Sequence, residues 1–495
     1  MKKLAQHYDK IRKRYPEDEL LILFDIDGTI LDMRCMVHHV LKAFDEAHDT
    51  DFFKSLAVDD ISVHENQVDH LLEGMNLPRA QRERVHRWYV ERRWSSEAIL
   101  KSHHAFRGVM EVIRWFQLQP RTSVGLNTGR PSAIREDTLR SLNELGREYR
   151  VTFSNDLLFM NPGEWEENVG NAKVRGIRHF QESGYRVVAM IDNEPANLTA
   201  VADADATGDI LLLHADTIFE SKRSALPAGT AGGADYRISQ VVSRKALREM
   251  MMAEAVPKRV QFVWHGLNDE DNIRQFLASD IHWAEFDVRR APDGTLILRH
   301  DSLEKTPLME DEEFILIDDI LTRLEKFDKS VKFDLKEGGD VLDRIIEIIR
   351  ARHYPVERLW MNGTFEVLGE TGFRKLASEL PGAIIQGPID FLAPLIVTLP
   401  DQGKYVLNVM CRWGVNRFSV NWDLPNLTNL LGHMDRWGYE VNLYNVPDLH
   451  SFLQAVLLQP RSITSDFNFP KWHYYGRGSG QDAHKFEYQL RAADD

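Results

Sequence analysis

The chain of 495 residues carries a formal net charge of −15, and 43% of its residues are hydrophobic and 28% charged. This length exceeds one ordinary core and predicts two or three globular domains. The negative charge argues against non-specific binding to nucleic acid or to an anionic membrane, although bound cations let an acidic site take a phosphate. Because only two cysteines occur, Cys35 and Cys411, a disulfide framework and a cysteine-based zinc site are excluded.

The segment from Met1 to Glu19 is polar and basic, and it has no apolar stretch of the kind that a secretory signal requires. No apolar run elsewhere approaches the ~18 residues that a membrane span needs. No basic stripe typical of a nucleic-acid-binding surface occurs either. We therefore expect a cytoplasmic protein without a membrane span.

The first half of the chain alternates strand-like and helical segments. Leu20–Phe24 is a continuous apolar run, typical of a strand buried on both faces of a parallel sheet. The alternation predicts an α/β fold with a doubly wound parallel sheet. The segment between Asp25 and Thr128 is far longer than one crossover helix needs, so we expect an inserted helical cap at about 34–105. Further strands are predicted at 123–126, 151–153, 187–191 and 210–213.

Asp25-Ile-Asp-Gly-Thr29 follows the first strand directly. Two carboxylates at the carboxyl end of a parallel strand point into the crevice where such sheets bind ligands. Asp25 is predicted to attack phosphorus and form an aspartyl-phosphate, and Asp27 to protonate the leaving alcohol and then activate water. Two anions facing an anionic substrate need a divalent cation, and Mg²⁺ suits an all-oxygen site. The alternative, in which the acids only cap a helix, is disfavoured for this long a motif.

These residues resemble the signature of the haloacid dehalogenase (HAD-like) superfamily, and the resemblance covers about residues 18–222. It implies that Thr128, in the run Leu126–Pro131, binds the phosphate. It also implies that Lys173 supplies a cation for the phosphate and the nucleophile, although taken alone this residue could equally be an ordinary surface lysine. The implied metal site consists of three acids: Asp25, Asp27 and Asp192.

The segment around Asp192 departs from the usual pattern of that superfamily. The further acid is absent, because Asn193 and Ala196 occupy its positions. Glu194 or Asn197 is the expected substitute. The expected cap also contains histidines without regular metal spacing, which we interpret as solvated or packing residues: His38, His39, His64, His70, His103 and His104.

A stretch rich in Gly, Ala and Pro at 225–234 is the best linker candidate, within a linker and connecting helix at 223–257. Eight further strands then alternate with helical stretches, which predicts a (β/α)8 TIM-type barrel at 258–480 and a tail at 481–495. The barrel strands are predicted at 259–265, 283–289, 330–336, 358–363, 383–387, 418–422, 440–445 and 462–466.

Acidic residues fall on the second and third of these strands. Glu285 and Asp287 are two residues apart and share one face of a strand, and acids that point into a barrel are costly to bury unless they hold a cation. Asp334 is the third acid, and Lys336 shares its side of the strand and is predicted to hold a phosphate. Three carboxylates make a hard-cation site for Mg²⁺, with Ca²⁺ or Mn²⁺ as alternatives.

Two histidines, His265 and His300, follow the first barrel strand and the run after the second. Imidazole titrates near neutral pH, so the pair can act as general base and general acid. The alternative, in which the acids form a solvated edge and His300 a structural turn, is favoured for each residue alone. It is disfavoured when all of them fall at successive strand ends of one barrel.

Over about 258–475 these residues resemble the phosphatidylinositol-phospholipase-like (PI-PLC-like) phosphodiesterase superfamily, which includes glycerophosphodiester phosphodiesterases and sphingomyelinase D. The resemblance implies that the two histidines are catalytic, that the three acids bind metal and that Lys336 contacts the phosphate. Gly266 stands where glycerophosphodiesterases usually carry an arginine. The run around His265–Asn268, together with Lys332–Lys336 and Leu359–Asn362, looks more like the menorin branch, and Asn268 is a candidate participant.

The leading hypothesis is a bifunctional enzyme whose barrel cleaves a phosphodiester and whose N-terminal domain removes phosphate from the resulting monoester. The second is a phosphatase with a barrel that only binds phosphorylated ligands. The third is a regulatory or scaffold protein with silent sites. The expected partner is a small phosphorylated substrate, a nucleotide or an RNA end included, and the sequence does not indicate the oligomeric state.

Overall fold

A computed structural model describes most of the chain, in two compact units, Met1–Ser243 and Arg244–Asp495. None of the helices in the described residues is long and apolar enough to cross a membrane. The described residues are 1–75, 77–163, 169–217, 224–242, 260–307 and 314–466, with the strands 475–477 and 487–489.

The N-terminal unit contains a six-stranded sheet in the order β3-β2-β1-β4-β5-β6, and all of its strand pairs are parallel. Leu20–Phe24 is fully buried in the centre, as the continuous apolar run predicted. The carboxyl ends of β1 and β4 meet where the strand order reverses, which is the usual ligand crevice of such sheets. The strands are β1 Glu19–Phe24, β2 Thr122–Pro131, β3 Leu158–Asn161, β4 Tyr185–Asp192, β5 Leu211–Ala215 and β6 Ala231–Gly233.

Helices connect these strands, and the segment between β1 and β2 is helical, as predicted for the cap. Leu21 and Leu23 of β1 pack against Ile177 and Phe180, so the helix after β3 covers one face of the sheet. The helices of this unit are Lys2–Arg14, Met33–His48, Val68–Gly74, Arg79–Arg92, Ser96–Ser102, Val109–Gln117, Arg135–Gly146, Val169–Glu182, Pro195–Ala204 and Ile238–Val241.

The strand predicted at 151–153 is wrong, because the third strand lies at Leu158–Asn161 instead. The Asn143 side chain accepts a hydrogen bond from Phe153 N at 2.8 Å and donates to Phe153 O at 3.1 Å. A side chain thus satisfies the backbone of this apolar run, which therefore needs no neighbouring strand.

The N-terminal unit extends beyond the range 18–222 at both ends. The helix Lys2–Arg14 is anchored by hydrogen bonds of Tyr8 Oη with Thr122 Oγ1 and of His7 Nε2 with Asp209 O, both 2.8 Å. Ala231–Gly233, expected within the linker, pairs with β5. Most of the connecting helix expected at 239–253 lies outside the described residues.

The second unit is a closed barrel of eight parallel strands, as predicted, and each strand lies within about two residues of its expected position. β8 also pairs antiparallel with the short strand β9, Leu296–Leu298. The barrel strands are β7 Gln261–Trp264, β8 Trp283–Arg290, β10 Ser330–Leu335, β11 Leu359–Asn362, β12 Ile384–Pro388, β13 Arg417–Asn421, β14 Glu440–Val446 and β15 Ser462–Ser465.

Helices of the second unit mostly alternate with these strands. Beyond the barrel, the backbone of Tyr475–Arg477 pairs antiparallel with Glu487–Gln489, so part of the expected tail at 481–495 forms a strand. The helices are Glu270–Ala278, Ile317–Lys326, Asp340–Arg352, Phe365–Glu379, Ala393–Thr398, Pro400–Arg412, Leu427–Trp437 and Leu449–Leu457.

Candidate active sites

Lys173 lies at the centre of a buried polar cluster at the carboxyl ends of β1, β2 and β4. Its Nζ is 2.5 Å from Asp25 Oδ1, 2.9 Å from Asp192 Oδ2 and 2.5 Å from Asn127 O. With 1% of its surface exposed, it is not the ordinary surface lysine of the alternative interpretation. One ammonium therefore serves two buried carboxylates and leaves an excess of negative charge.

Burial and this excess of negative charge both raise the pKa of Asp25. Burial, reinforced by the charges of Asp192 and Asp27 and opposed by Lys173, raises this pKa to about 8. A carboxyl group in this position keeps its proton at neutral pH unless a further cation offsets the excess charge. The oxygen-only donor set therefore fits a divalent cation such as Mg²⁺.

Asp27 forms a two-pronged ion pair with Arg130. Arg130 Nη2 and Nε donate to its two oxygens at 2.6 and 2.8 Å, and Arg130 is fully buried. The guanidinium also donates to Thr138 Oγ1 at 3.0 Å and lies 3.1 Å from His103 Nε2. Arg130 was not predicted as a site residue, although it stands two residues after the predicted phosphate-binding Thr128.

Thr128 lies on β2 next to β1. Phe24 pairs with Leu126, so Thr128 stands two residues further toward the crevice, at the level of the Asp25–Asp27 turn. It is buried, and its Oγ1 accepts from Arg130 N at 3.2 Å. The predicted hydroxyl is therefore next to the predicted nucleophile.

Asn197, rather than Glu194, is the side chain that bonds Asp192. Its Nδ2 donates to both carboxylate oxygens of Asp192 at 3.2 Å, and Glu194 N donates to Oδ1 at 2.9 Å. The Glu194 carboxylate instead lies 3.3 Å from Nε2 of the cap residue His64. Of the two expected substitutes for the missing acid, Asn197 stands beside the metal-site acid.

Two cap histidines are buried and connect the cap to the sheet. His64 also lies 3.0 Å from Glu65 Oε2, and burial raises the pKa of Glu65 to about 7. His103 is 2.7 Å from Ser141 Oγ and contacts Arg130, and burial followed by the Arg130 charge lowers its pKa to about 2. These contacts connect the histidines to Glu194 and to Arg130, which is the partner of the predicted Asp27.

In the barrel, the three predicted acids converge. Carboxylate oxygens of Glu285, Asp287 and Asp334 lie within 4.8 Å of one another. The register explains this, because Asp287 on β8 is directly opposite Asp334 on β10. Buried carboxylates this close repel one another without a cation, so their geometry fits a single hard cation.

Lys336 bridges two of these acids. Its Nζ is 2.8 Å from Asp287 Oδ1 and 2.5 Å from Asp334 Oδ2. Burial alone would raise the pKa of Asp287, but the charges of Lys336 and His265 outweigh burial and lower it to about 2. The predicted phosphate-side lysine therefore lies at the edge of the acid cluster.

His265 is held by Asp466, which the sequence did not identify as a site residue. His265 Nδ1 is 2.5 Å from Asp466 Oδ1, and Nε2 is 3.4 Å from Glu285 Oε2. A carboxylate on Nδ1 selects the imidazole tautomer and orientation. Gly266 has a φ of 63° and donates its N–H to Glu285 Oε2 at 2.8 Å. The left-handed backbone favours glycine there.

Amide side chains support the remaining acid oxygens. Asn268 donates through Nδ2 to Asp287 Oδ2 at 2.5 Å and accepts from Asp287 N at 3.0 Å. This candidate residue therefore contacts the metal-site acid Asp287 and supports its position. Asn362 donates to Asp334 Oδ1, and Gln386 donates to Asn362 Oδ1, both at 2.7 Å. Asn362 ends a run that resembles the menorin branch but was assigned no role, and the sequence did not indicate Gln386.

His300 stands apart from the other five predicted barrel residues. Its backbone is near the cluster, because the preceding Arg299 N donates to Asp287 O at 2.9 Å. Its side chain is 51% exposed, and its Nδ1 lies 2.9 Å from Asp301 Oδ1. The structure therefore places His300 at the mouth of the barrel.

No protein-family model matches the chain, and no curated protein matches its sequence. A phosphodiesterase from Oleispira antarctica, solved with the product sn-glycerol-3-phosphate, is 13% identical with a TM-score of 0.33, over 42% of this chain and 94% of that chain. A glycerophosphodiester phosphodiesterase from Agrobacterium tumefaciens is 15% identical with a TM-score of 0.32, over 42% and 96%. A protein described as a phosphatase, from Clostridium difficile, is 13% identical with a TM-score of 0.29, over 41% and 88%. The solved structures similar to this chain thus include both kinds of protein that its motifs resemble.

Proposed function

We propose that the chain is a bifunctional, metal-dependent phosphoester hydrolase, in which the barrel cleaves a phosphodiester and the N-terminal unit removes phosphate from the monoester produced. The observation that carries this proposal is that each unit has a lysine in ionic contact with two of the predicted metal-site acids, and that the three barrel acids converge within 4.8 Å. Both clusters stand at the carboxyl ends of parallel strands, where α/β enzymes place their catalytic groups.

In the N-terminal site, the Asp25 carboxylate attacks phosphorus while Asp27 gives a proton to the departing alcohol. Asp27 then takes a proton from water, which hydrolyses the aspartyl-phosphate and frees Asp25. Lys173 and Thr128 hold the phosphoryl oxygens, and Arg130 fixes the orientation of Asp27. A divalent cation held by Asp25, Asp27 and Asp192 would neutralise the phosphate and keep the nucleophile ionised.

In the barrel, His265 is the group best placed to move a proton, because Asp466 holds its Nδ1 and leaves Nε2 facing the acid cluster. His300 at the mouth is the second acid–base group, and Lys336 contacts a phosphate oxygen. A cation held by Glu285, Asp287 and Asp334 would polarise the diester. The attacking group is water or a neighbouring hydroxyl of the substrate, and a cyclic phosphate product indicates the hydroxyl.

The half-exposed side chain of His300 favours a second candidate, a phosphatase whose barrel binds phosphorylated ligands without cleaving them. It differs from the first in one measurable respect, which is whether any diester is cut. Mg²⁺ is the proposed cation in both sites, with Ca²⁺ or Mn²⁺ as alternatives in the barrel.

The test uses three proteins and a panel of diesters of small alcohols. We expect the wild type to release free phosphate, Asp25→Asn to stop at the monoester, and His265→Ala to leave the diester intact while still dephosphorylating added monoester. Exhaustive chelation is expected to stop both reactions, and Mg²⁺ to restore them. Loss of diester cleavage in Asp25→Asn would contradict the separation of the sites. If no form cuts a diester, while the wild type and His265→Ala still dephosphorylate monoesters, the second candidate is correct.

A further inference from the structure

Lys332 is a buried cation to which neither motif assigns a role. It precedes Asp334 by two residues on β10, so it faces the barrel interior one layer nearer the amino-terminal ends of the strands. Only 3% of it is exposed. Its ammonium contacts two neutral groups, donating to Thr464 Oγ1 at 3.2 Å and lying 5.1 Å from the centre of the Trp360 ring.

Neutral contacts alone do not compensate a buried ammonium. The compensating charge comes from the acid cluster, since Lys332 is directly opposite Glu285 in the β10–β8 register. In the metal-free protein, the ammonium and the acids therefore stabilise each other through space.

Neighbouring groups hold this ammonium in place beneath the acids. Thr464 Oγ1, which accepts from Lys332, donates in turn to Asn442 Oδ1 at 3.1 Å. The Trp360 ring that Lys332 contacts also lies 4.5 Å from the guanidinium of buried Arg417. The interior of such barrels is usually filled by layers of branched apolar side chains. Here polar and aromatic side chains surround Lys332 and contact its ammonium.

We propose that Lys332 is a built-in counter-ion that sets the affinity of the barrel acids for their divalent cation. The inference rests on the proposed function, in which Glu285, Asp287 and Asp334 hold that cation. When the cation binds, it removes the negative charge that compensates Lys332 and repels the ammonium. Lys332 therefore keeps the metal-free barrel folded and, at the same time, weakens cation binding.

The test measures Mg²⁺ binding by titration calorimetry on the full chain carrying Asp192→Asn, which removes a ligand of the other metal site. In this background, Lys332→Met keeps the length of the side chain and removes its charge. We expect its Kd for Mg²⁺ to tighten about tenfold, because a fixed like charge near the cation is gone. We also expect its unfolding temperature to fall in the metal-free protein and to recover when Mg²⁺ is added.

Lys329→Met is the matched control. Lys329 is also buried beside β10, but its ammonium donates to the backbone oxygens of Ser279 and Ile281 at 2.8 and 2.6 Å. We expect this variant to lose stability with and without Mg²⁺ and to keep the parent Kd. An equal tightening in both variants would make the effect a general consequence of losing a buried lysine and would overturn the proposal.

An unchanged or larger Kd for Mg²⁺ in Lys332→Met also overturns the proposal. If that variant does not fold, Lys332→Gln removes the charge while keeping a donor for Thr464, and the same tightening is expected of it. Glu285→Gln identifies which binding belongs to the barrel. If the parent does not bind Mg²⁺, or if Glu285→Gln leaves its Mg²⁺ binding unchanged, the proposed function of the barrel fails together with this inference. If Glu285→Gln abolishes Mg²⁺ binding but Lys332→Met does not change it, only the inference is contradicted.

Discussion

In the N-terminal unit a single lysine contacts two buried carboxylates, whereas in the barrel a lysine, a histidine and amide side chains surround three converging acids. Lys173 is the only cation in direct ionic contact with Asp25 and Asp192 among the described residues, and the pKa of Asp25 is raised to about 8. Arg130 is engaged by the third acid, Asp27. Burial therefore outweighs the available positive charge at the nucleophile.

Asp287 in the barrel shows the opposite balance. It is buried as deeply, but Lys336 and Asn268 bond it directly and His265 adds its charge, so its pKa is lowered to about 2. Burial raises the pKa of the neighbouring Glu285, so the difference belongs to single acids. The comparison teaches that the ionised form of Asp25 depends more strongly on an added cation than that of Asp287.

Removing the single lysine is the largest perturbation of this comparison. Lys173→Met leaves two buried carboxylates without their shared partner, and we expect a loss of roughly 3–5 kcal/mol in the free energy of unfolding of the N-terminal unit. We also expect monoester hydrolysis to be lost. Calorimetric unfolding and phosphate release measure the two effects. Lys336→Met is the matched barrel variant, and a larger loss of stability there would contradict the comparison.

Asp466→Asn tests the support of His265. An amide cannot hold the imidazole in the same tautomer and charge, so we expect diester cleavage to fall by about 10²–10⁴-fold. Monoester hydrolysis should stay at the wild-type level, which serves as the internal control for folding. Diester cleavage within a few-fold of wild type would show that Asp466 does not orient the catalytic histidine.

The two pKa shifts predict opposite pH dependences of stability in the chelated protein. The raised pKa of Asp25 gives a contribution that is complete below its ordinary pKa of 3.8 and is lost as the pH rises through about 8. The lowered pKa of Asp287 gives a contribution that is present above 3.8 and is lost as the pH falls through about 2.

These opposite pH dependences are checked by measuring the unfolding of the metal-free chain by calorimetry at acid, neutral and alkaline pH. We expect the contribution of Asp25 to be lost on the alkaline side and that of Asp287 on the acid side. Asp25→Asn and Asp287→Asn identify the two contributions, because each removes the titration of its own carboxyl group. Transitions that shift in the same direction would contradict the difference in charge state.

Arg130→Lys is the mildest test. A lysine keeps the positive charge but cannot bond both oxygens of Asp27, so the orientation of this acid–base group becomes less defined. We expect kcat for monoesters to fall by about tenfold, with a shifted acid limb of the pH profile and an almost unchanged KM. A change in KM alone would indicate that Arg130 contacts substrate instead of positioning Asp27.

The sequence determined most of the architecture and the acids of both sites. Period-two alternation placed Glu285 and Asp287 on one face, and the rule that parallel strands end at a common edge brought Asp25, Thr128 and Asp192 together. These are local regularities, in which a residue's own strand decides where its side chain points. All eight barrel strands were predictable for the same reason.

Only the tertiary structure decided which side chains complete the sites. Asp466 meets His265 across 201 residues and Arg130 meets Asp27 across 103, and no local pattern encodes such contacts. Distant contacts also decided the stretch 151–153, whose backbone hydrogen-bonds to a side chain instead of a strand. They decided Ala231–Gly233 as well, which pairs with β5 although its Gly-rich composition predicted a linker. Hydrogen-bond partners and counter-charges depend on what the rest of the chain brings alongside, and only the packed fold specifies that.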